Sequence, residues 1–375
     1  MARLPIPSSP DGLTPEWLTA ALRESDILRS GRVVEAAWER VGASYGFTGV
    51  VARIHLGYDG ARGEHPRSLV VKLPMAGTAQ ISGYRAVQER DPARMERYYE
   101  RAAREVRFYR QVGAAFAPTM YYADADDAGR RVVLLLEDVS DGRQGDVLLG
   151  CSIDDAANVI RELAPFHARW WGGRAPRSDF PGSAGEVGAR QERYAQQVEP
   201  FLARYGDRLP AAATEVISDL RFRLASLAEA LSRGPKTLIH GDLHLDNMIF
   251  GPRGDERSVT VLDWQTASAG TPASDVALFV TDSLGVEERR AAETALLEEY
   301  VKLLAERGVS NYSAEELRAD CGRALLLRLA GTIGWLTNVT GDHLTARERA
   351  LQDAAIANGR LVTALQDYDA LALMD

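Results

Sequence analysis

Two short segments in the second half of the chain constrain its fold and its chemistry more than any other feature. They are HGDLHLDN at 240–247 and VTVLDWQ at 259–265. Together they supply Asp242, Asn247 and Asp263, and an apolar strand leads into the last carboxylate, 16 positions after the asparagine. Phosphoryl transfer uses this donor set, because it needs one carboxylate beside a hydroxyl and an Asn and an Asp as hard oxygen ligands for Mg²⁺.

The same residues also have a structural interpretation. HGD can form a tight turn, and Asp263 can be an N-cap or a turn residue, since aspartate favours both positions. Each polar residue taken singly is explained equally well either way. All three at this spacing, separated by the alternating strand VTVLDW, favour the H-x-D-x-x-x-x-N pattern of kinases followed by a metal-binding aspartate.

The first half of the chain contains a segment suited to phosphate binding. Residues 40–60 predict a strand, a glycine-rich turn and a second strand. Glycines at positions 42, 46 and 49 would let backbone N–H groups approach phosphate oxygens closely. The spacing departs from G-x-G-x-x-G, and a glycine-rich hairpin without a ligand remains the alternative.

A lysine lies inside the next apolar strand, RSLVVKLP at 67–74. The chain has three lysines (Lys72, Lys236 and Lys302) among 44 basic residues, which leaves 41 arginines to provide ordinary surface charge. A lysine in this strand therefore indicates a position that needs a compact ammonium. The alternative is a side chain that extends from the strand end into solvent.

The segment RAAREVRFYRQVG at 101–113 has the apolar spacing of a helix, and Glu105 lies at its middle. A glutamate on that helix can pair with Lys72 and hold it against nucleotide phosphates. It can instead form local pairs with Arg101 or Arg104 on a solvated face. The order of strand lysine and helix glutamate favours the first interpretation.

The features follow one another as glycine turn, lysine strand, glutamate helix, an apolar strand with an acidic end at 130–142, HGD…N and LDW. With LAPFHARWW at 163–171, this order resembles the aminoglycoside phosphotransferase and choline kinase superfamily, and within it the ecdysteroid-kinase-like (CHK kinase-like) group. The resemblance covers most of residues 12–340. It implies an α+β, bilobal protein-kinase-like fold. Residues 1–137 would form a small N-lobe with an antiparallel β-sheet and one key helix, and 138–375 a larger, mainly helical C-lobe.

The resemblance also implies a role for each matching residue. Asp242 would orient or deprotonate the acceptor hydroxyl, and Asn247 and Asp263 would hold Mg²⁺. His240 and Asp275 would brace the catalytic loop, which spans 238–250. The nucleotide would be ATP, with GTP as the alternative, and the residues expected to bind it are Gly46, Phe47 and Thr48 at the loop tip, Lys72, Glu105 and Glu137.

The acceptor is expected to be a small molecule. The stretch 264–275 leaves little room for an activation segment or a peptide platform, and Trp264-Gln265 provides no Phe-Gly hinge. The expected reaction transfers the γ-phosphoryl group of ATP to a non-protein alcohol that is steroid-, macrolide- or aminoglycoside-like. Aromatic residues that could wall its pocket, or could equally be core, are Trp170, Trp171, Tyr194 and Trp335. The alternative function is a nucleotide-binding pseudokinase or interaction module without transfer.

Composition agrees with a cytoplasmic enzyme. The net charge of −9 disfavours nucleic-acid binding. No apolar run reaches membrane-spanning length, and the N-terminus lacks the apolar stretch of a signal peptide. We expect no membrane association and no obligatory protein partner.

Two further groups of residues could bind a metal but are expected not to. His240 and His244 have the spacing of a zinc pair, yet Gly-Asp follows the first histidine where a metalloprotease has glutamate. Gly241 also disfavours a helix interior. Cys151 and Cys321 are far apart, without a C-x-x-C pair, and are expected to be free thiols.

Local patterns predict the remaining elements. Thr14 and Pro15 begin a helix over 14–23, and Ser313 and Glu316 form a capping box. A polar insertion, either a lid or mobile, is expected at 76–100. Strands are expected near 32–41, 48–58, 67–73, 119–124 and 131–137, a loop at 172–190, and further helices at 152–171, 211–232, 286–307, 314–338 and 345–370.

Overall fold

The fold divides into two units. The N-terminal unit comprises Met1–Asp141 and Thr260–Thr266, and the C-terminal unit comprises Gly142–Val259 and Ala267–Asp375. The structure is a computed structural model. It describes residues 4–41, 49–74, 92–176, 178–182, 187–251, 259–338, 344–357, 359–370 and 372–374.

A five-stranded antiparallel sheet forms the centre of the N-terminal unit, in the order β1-β2-β3-β5-β4. Its strands are β1 (Arg32–Arg40), β2 (Gly49–Asp59), β3 (Ser68–Pro74), β4 (Met120–Asp126) and β5 (Arg131–Glu137). The central strand β3 places Lys72 opposite Val51 of β2 and Leu134 of β5. Hydrogen bonds from both neighbouring strands therefore fix the backbone that carries this lysine.

Helix α1 (Pro15–Glu24) packs on the sheet and is the helix expected over 14–23. The Thr14 hydroxyl accepts a hydrogen bond from the backbone N–H of Trp17 at 3.3 Å, which satisfies one unpaired donor of the first turn. The Trp17 ring meets the edge of Tyr122, with ring centroids 5.5 Å apart. Other members of this core are Leu18, Leu22, Leu69, Val71 and Leu135.

Helix α2 (Pro92–Arg107) carries Glu105 and continues as a π-helical turn over Phe108–Val112. The prediction of a helix from 101 was too short, because residues 92–100 of the expected insertion are already helical. Tyr99 is buried and continues the buried stripe of Ala102, Ala103 and Val106 toward the N-terminus of the helix. The rest of that insertion that precedes α2, residues 76–91, lies outside the described residues.

The C-terminal unit is mainly helical, as expected. Its helices are α3 (Ile153–Arg169), α4 (Val187–Tyr205), α5 (Ala211–Arg233), α6 (Pro272–Ser283), α7 (Val286–Ala305), α8 (Ala314–Asn338), α9 (Ala346–Ala357) and α10 (Arg360–Asp367). Short strands follow β5 in chain order as β6 (Arg143–Gln144), β7 (Thr237–Ile239), β8 (Met248–Phe250), β9 (Val259–Val261) and β10 (Ser268–Gly270). Strand β6 pairs with β8, and β7 pairs with β10. These two small pairings support the loops around the HGD motif.

Three details of the helical unit differ from the sequence prediction. The single helix expected at 345–370 is two helices, because Gly359 adopts a left-handed φ of 64° that ends helical hydrogen bonding. Helix α4 begins at Val187, inside the expected loop 172–190. Helix α6 was not predicted, since nearly all of its residues are buried and no amphipathic period marks it. Among the described residues, no helix is both long and apolar enough to cross a membrane.

Candidate functional site

A lysine between two carboxylates is the main polar cluster of the N-terminal unit. The Lys72 ammonium on β3 donates to Glu105 Oε1 on α2 at 2.7 Å and to Asp263 Oδ1 at 3.0 Å. Glu105 is only 2% exposed. The structure therefore places Glu105 on Lys72, where the alternative was a solvated glutamate paired with a neighbouring arginine.

The charges of this cluster set its electrostatics. Burial disfavours the charged form of Lys72, but the carboxylates of Asp263 and Glu105 outweigh it and raise the lysine pKa above its ordinary value. Burial raises the pKa of Glu105, against the opposing attraction of Lys72. The carboxylates of Glu105 and Asp263 bring hard oxygen atoms together at this position, and such atoms are the ligands that Mg²⁺ prefers.

The segment that carries Asp263 is anchored to α2 by an aromatic stack. The indole of Trp264 is fully buried and lies parallel to the Phe108 ring, with centroids 4.0 Å apart. The Trp264 backbone N–H donates to Glu105 Oε1 at 3.3 Å, and Gln265 Nε2 donates to Asp263 Oδ2 at 2.8 Å. A flip of this segment would break the stack and all of these hydrogen bonds. Sequence reasoning did not assign a contact to Gln265.

Asp263 itself has a left-handed backbone, with φ of 63°. Aspartate and asparagine tolerate this conformation better than most residues, because their short polar side chains can interact with the local backbone. Substitution by asparagine is therefore compatible with the backbone at this position.

The HGD motif of the C-terminal unit is a loop held by one buried carboxylate. Asp275, at the first turn of α6, accepts hydrogen bonds from the backbone N–H of His240 at 2.6 Å and of Gly241 at 2.9 Å. His240 Nδ1 accepts from the Asp242 backbone N–H at 3.2 Å. Gly241 takes a left-handed φ of 82°, which turns the chain sharply between these contacts. His240 and Asp275 have the geometry that bracing the loop requires.

A buried chain of polar groups continues behind Asp275. His167 Nε2 lies 3.4 Å from Asp275 Oδ2, and His167 Nδ1 lies 2.7 Å from the Tyr300 hydroxyl. All three side chains are fully buried. His167 belongs to the motif LAPFHARWW, but sequence reasoning gave it no role, because its partners lie more than a hundred positions away.

Asn247 is oriented by its amide nitrogen. Its Nδ2 donates to the Asp242 carbonyl oxygen at 3.1 Å and lies 3.3 Å from His244 Nε2. Among the described residues, no hydrogen-bond donor reaches its Oδ1. An amide oxygen held in this way is a suitable ligand for a hard cation.

The Asp242 carboxylate lies beside the imidazole of His244. Its Oδ2 lies 3.5 Å from His244 Nε2. Burial opposes the charge, but the hydrogen bond and charge of His244 outweigh it and, with the charge of Arg328, lower the Asp242 pKa to about 2. Within the described part of the chain, no three His, Cys, Asp or Glu side chains converge as a metal site.

Four other residues are expected to contact the nucleotide, and the structure describes one of them, Glu137. Gly46, Phe47 and Thr48 lie outside the described residues. The Glu137 carboxylate accepts hydrogen bonds from the backbone N–H and the hydroxyl of Thr119, at 2.9 and 2.8 Å. Its side chain therefore ties the end of β5 to the residue before β4.

The structure places two of the four aromatic residues expected at the acceptor pocket in defined surroundings. Tyr194 is buried, and its hydroxyl donates to the Ile217 carbonyl oxygen between α4 and α5. Trp171 packs near Tyr312 in an open groove of about 900 Å³. Neither Trp170, Tyr194 nor Trp335 lines that groove.

This chain matches a known protein family and is similar in fold to solved structures. The model of the phosphotransferase enzyme family matches residues 53–319. A structure described as a candidate aminoglycoside phosphotransferase from Ralstonia eutropha JMP134 has a TM-score of 0.55 at 17% identity, over 95% of this chain and 98% of that chain. A choline kinase structure from Cryptosporidium parvum Iowa II has a TM-score of 0.49 at 12% identity, over 90% of each chain.

Three curated proteins match part of this chain, over stretches of 44 to 96 residues. Human acyl-CoA dehydrogenase family member 11 is 48% identical over 44 residues, which are 12% of this chain. The match spans only 6% of the length of that protein. The family match is therefore the finding on which a function can be argued.

Proposed function

Since the chain belongs to the phosphotransferase enzyme family, we propose that it is a kinase of small molecules, which transfers the γ-phosphoryl group of ATP to an alcohol. The observation that carries this proposal is Lys72, held between Glu105 and Asp263. Phosphoryl transfer depends on positioning and on charge stabilisation, which this cluster is suited to supply.

The residues of the N-terminal unit bind the nucleotide in this proposal. Lys72 contacts the phosphates, and Glu105 keeps the ammonium in place from α2. Asp263 would hold Mg²⁺, whose charge would offset that of the phosphates. The stack of Trp264 on Phe108 keeps the metal ligand and the glutamate helix in register.

In the C-terminal unit, the residues with proposed roles are Asn247 and Asp242. Asn247 would bind Mg²⁺ through Oδ1, the atom that its hydrogen bonds leave available. Asp242 accepts a hydrogen bond from the acceptor hydroxyl. We assign it an orienting role, because a loose transfer step has little need for early proton removal.

The acceptor is a non-protein alcohol in this proposal. The turn Trp264–Thr266 is followed at once by β10 and then by α6, which begins at Pro272. This connection contains no segment long enough to form a platform for a peptide. Its brevity supports a small-molecule acceptor and does not distinguish among steroid-, macrolide- and aminoglycoside-like alcohols.

An isotope-transfer experiment tests the proposal and does not require that one acceptor be chosen beforehand. The protein is incubated with Mg²⁺ and ATP labelled with ¹⁸O on the γ-phosphate. Acceptors are offered as a panel of steroid, macrolide, aminoglycoside and alkanolamine alcohols and as a small-molecule cell extract. We expect a labelled phosphate ester in the small-molecule fraction, detected by mass spectrometry.

Two variants serve as controls for this experiment. Asp242→Asn should form the labelled ester at least about 10²-fold more slowly, and Asp219→Asn, on the exposed face of α5, should behave as the wild type. Label found only on proteins would indicate a protein kinase. Nucleotide binding without any labelled product would indicate a module without transfer activity.

A further inference from the structure

An ion-pair cluster that none of the motifs explains lies next to Asn247. The guanidinium of Arg347 bridges two carboxylates, those of Asp146 and Asp246. Its Nη1 donates to Asp146 Oδ2 at 2.9 Å, and its Nη2 donates to Asp246 Oδ1 at 2.8 Å. Asp246 is the residue immediately before Asn247 in the HGD loop. The cluster therefore reaches the backbone that carries a proposed metal ligand.

The geometry distinguishes this cluster from an ordinary surface ion pair. Arg347 Nη2 also contacts Asp146 Oδ1 at 3.0 Å and Asp246 Oδ2 at 2.9 Å, so the planar fork engages all four carboxylate oxygens. The side chains of Arg347 and Asp246 are 22% and 18% exposed. Arginine is suited to such a bridge, because its donors are fixed in one plane and its charge is permanent.

The position of Arg347 is itself set by its helix. It lies in the first turn of α9, whose start is closed by a capping box. The Thr345 hydroxyl accepts from the Glu348 backbone N–H at 3.1 Å, and the Glu348 carboxylate accepts from the Thr345 backbone N–H at 2.7 Å. The guanidinium therefore extends from a fixed point of the backbone.

A second set of contacts holds the backbone on both sides of Asn247. Gln144 Nε2 donates to the Asp246 carbonyl oxygen at 2.8 Å and to the Met248 carbonyl oxygen at 3.3 Å. The Val147 backbone N–H donates to Asp246 Oδ1 at 2.9 Å. The loop segment thus depends on the Asp246 carboxylate, which bonds both to Arg347 and to the chain near β6.

We infer that Arg347 is a positioning residue for Asn247, which it holds through Asp246 in the orientation that binds a divalent cation. The inference rests on the proposed function, since it takes Asn247 as a metal ligand. Without the guanidinium between them, the carboxylates of Asp146 and Asp246 repel each other. Asp246 then moves, and the Oδ1 of the next residue moves with it.

Metal affinity in the presence of nucleotide is the quantity that tests this inference. Groups that orient metal ligands typically change metal affinity by about 10–100-fold when they are lost. Mn²⁺ replaces Mg²⁺ as the probe, because the paramagnetic resonance signal of free Mn²⁺ reports binding directly. We expect Arg347→Met to weaken Mn²⁺ binding in the presence of ADP by about tenfold or more. The affinity for ADP without metal should not change.

The matched control is Arg349→Met, two positions along α9 with an exposed side chain, and it should bind Mn²⁺ as the wild type does. Arg347→Lys should restore part of the affinity, because an ammonium supplies the charge but not the planar fork. A purely structural role would lower the unfolding temperature of Arg347→Met and leave its Mn²⁺ dissociation constant unchanged. That result would overturn the inference.

Asp246→Asn provides a second test in case Arg347→Met does not fold. This change leaves Arg347 paired with Asp146, and we expect weaker Mn²⁺ binding of the same kind. Wild-type Mn²⁺ affinity in folded Asp246→Asn would also overturn the inference. A wild-type protein that binds no Mn²⁺ with ADP would instead contradict the proposed function, and the inference would fail with it.

Discussion

Asp242→Asn is expected to lower turnover by about 10²–10⁴-fold, the usual loss when a group that accepts the reacting proton or its hydrogen bond is removed. Asparagine keeps the shape of the side chain but removes the charge that His244 and Arg328 help to maintain. The dissociation constant for the nucleotide should stay near the wild-type value, because Lys72 and Asp263 are unchanged. Steady-state kinetics with an acceptor found by isotope transfer, combined with calorimetry, measures both quantities.

The control for this prediction is Asp219→Asn, the same change at an exposed position of α5. It should leave turnover within about twofold of the wild type, as surface substitutions usually have small effects. Turnover near the wild-type value in Asp242→Asn would contradict the assignment of this residue. A loss of nucleotide binding would instead indicate that the loop contributes to the nucleotide site.

Lys72→Met is expected to lower turnover by at least about 10²-fold, because it removes a preorganised positive charge from the phosphates. It should also lower the free energy of unfolding by about 3 kcal/mol, since the buried carboxylate of Glu105 loses its partner. Kinetics and urea denaturation measure the two effects separately. Lys302→Met, at an exposed position of α7, is the matched control and should change neither.

A double variant separates the chemistry of Lys72 from its structural contribution. Lys72→Met combined with Glu105→Gln removes the unpaired carboxylate and should recover part of the lost stability. Activity should remain low, because no ammonium is restored. Recovery of activity in the double variant would show that Lys72→Met acts only by destabilising the fold, which would contradict a role in phosphate binding.

The N-terminal cluster could be anticipated because its signals are local. A lysine in an apolar strand stands out in a chain that otherwise uses arginine, and the apolar spacing around Glu105 indicates a helix that can face the sheet. The structure then joins the two side chains at 2.7 Å. The helix start at Pro92 could not be predicted, because residues 92–100 are rich in charge. Among them, the buried Tyr99 is the main apolar signal that continues the stripe of the helix.

The loop-holding groups could not be predicted, because their partners are distant in the chain. Arg347 contacts Asp146 across 201 positions and Asp246 across 101 positions. Nothing in the local pattern of α9 distinguishes this arginine from its exposed neighbour Arg349. The capping box at Thr345 was the available signal, and it predicts a helix start but no contact.

Two helices were missed for different physical reasons. Helix α6 is buried on nearly every side, so it lacks the polar face that reveals a helix in sequence. Helix α4 has a clear buried stripe at Tyr194, Val198, Phe201 and Tyr205, but its many polar residues and the internal Pro200 obscured the pattern. Recognition of that stripe would also have indicated Tyr194 as a core residue.

The proposed function requires a magnesium-dependent nucleotide site, which calorimetry of MgATP binding to the wild type and to Asp263→Asn can detect. Asparagine fits the left-handed backbone at this position, so the variant should remain folded, which circular dichroism can verify. We predict saturable binding by the wild type that requires Mg²⁺ and weakens sharply in Asp263→Asn. Equal affinity in the two proteins, or no binding of either ATP or GTP by folded wild type, would contradict a magnesium-dependent nucleotide site.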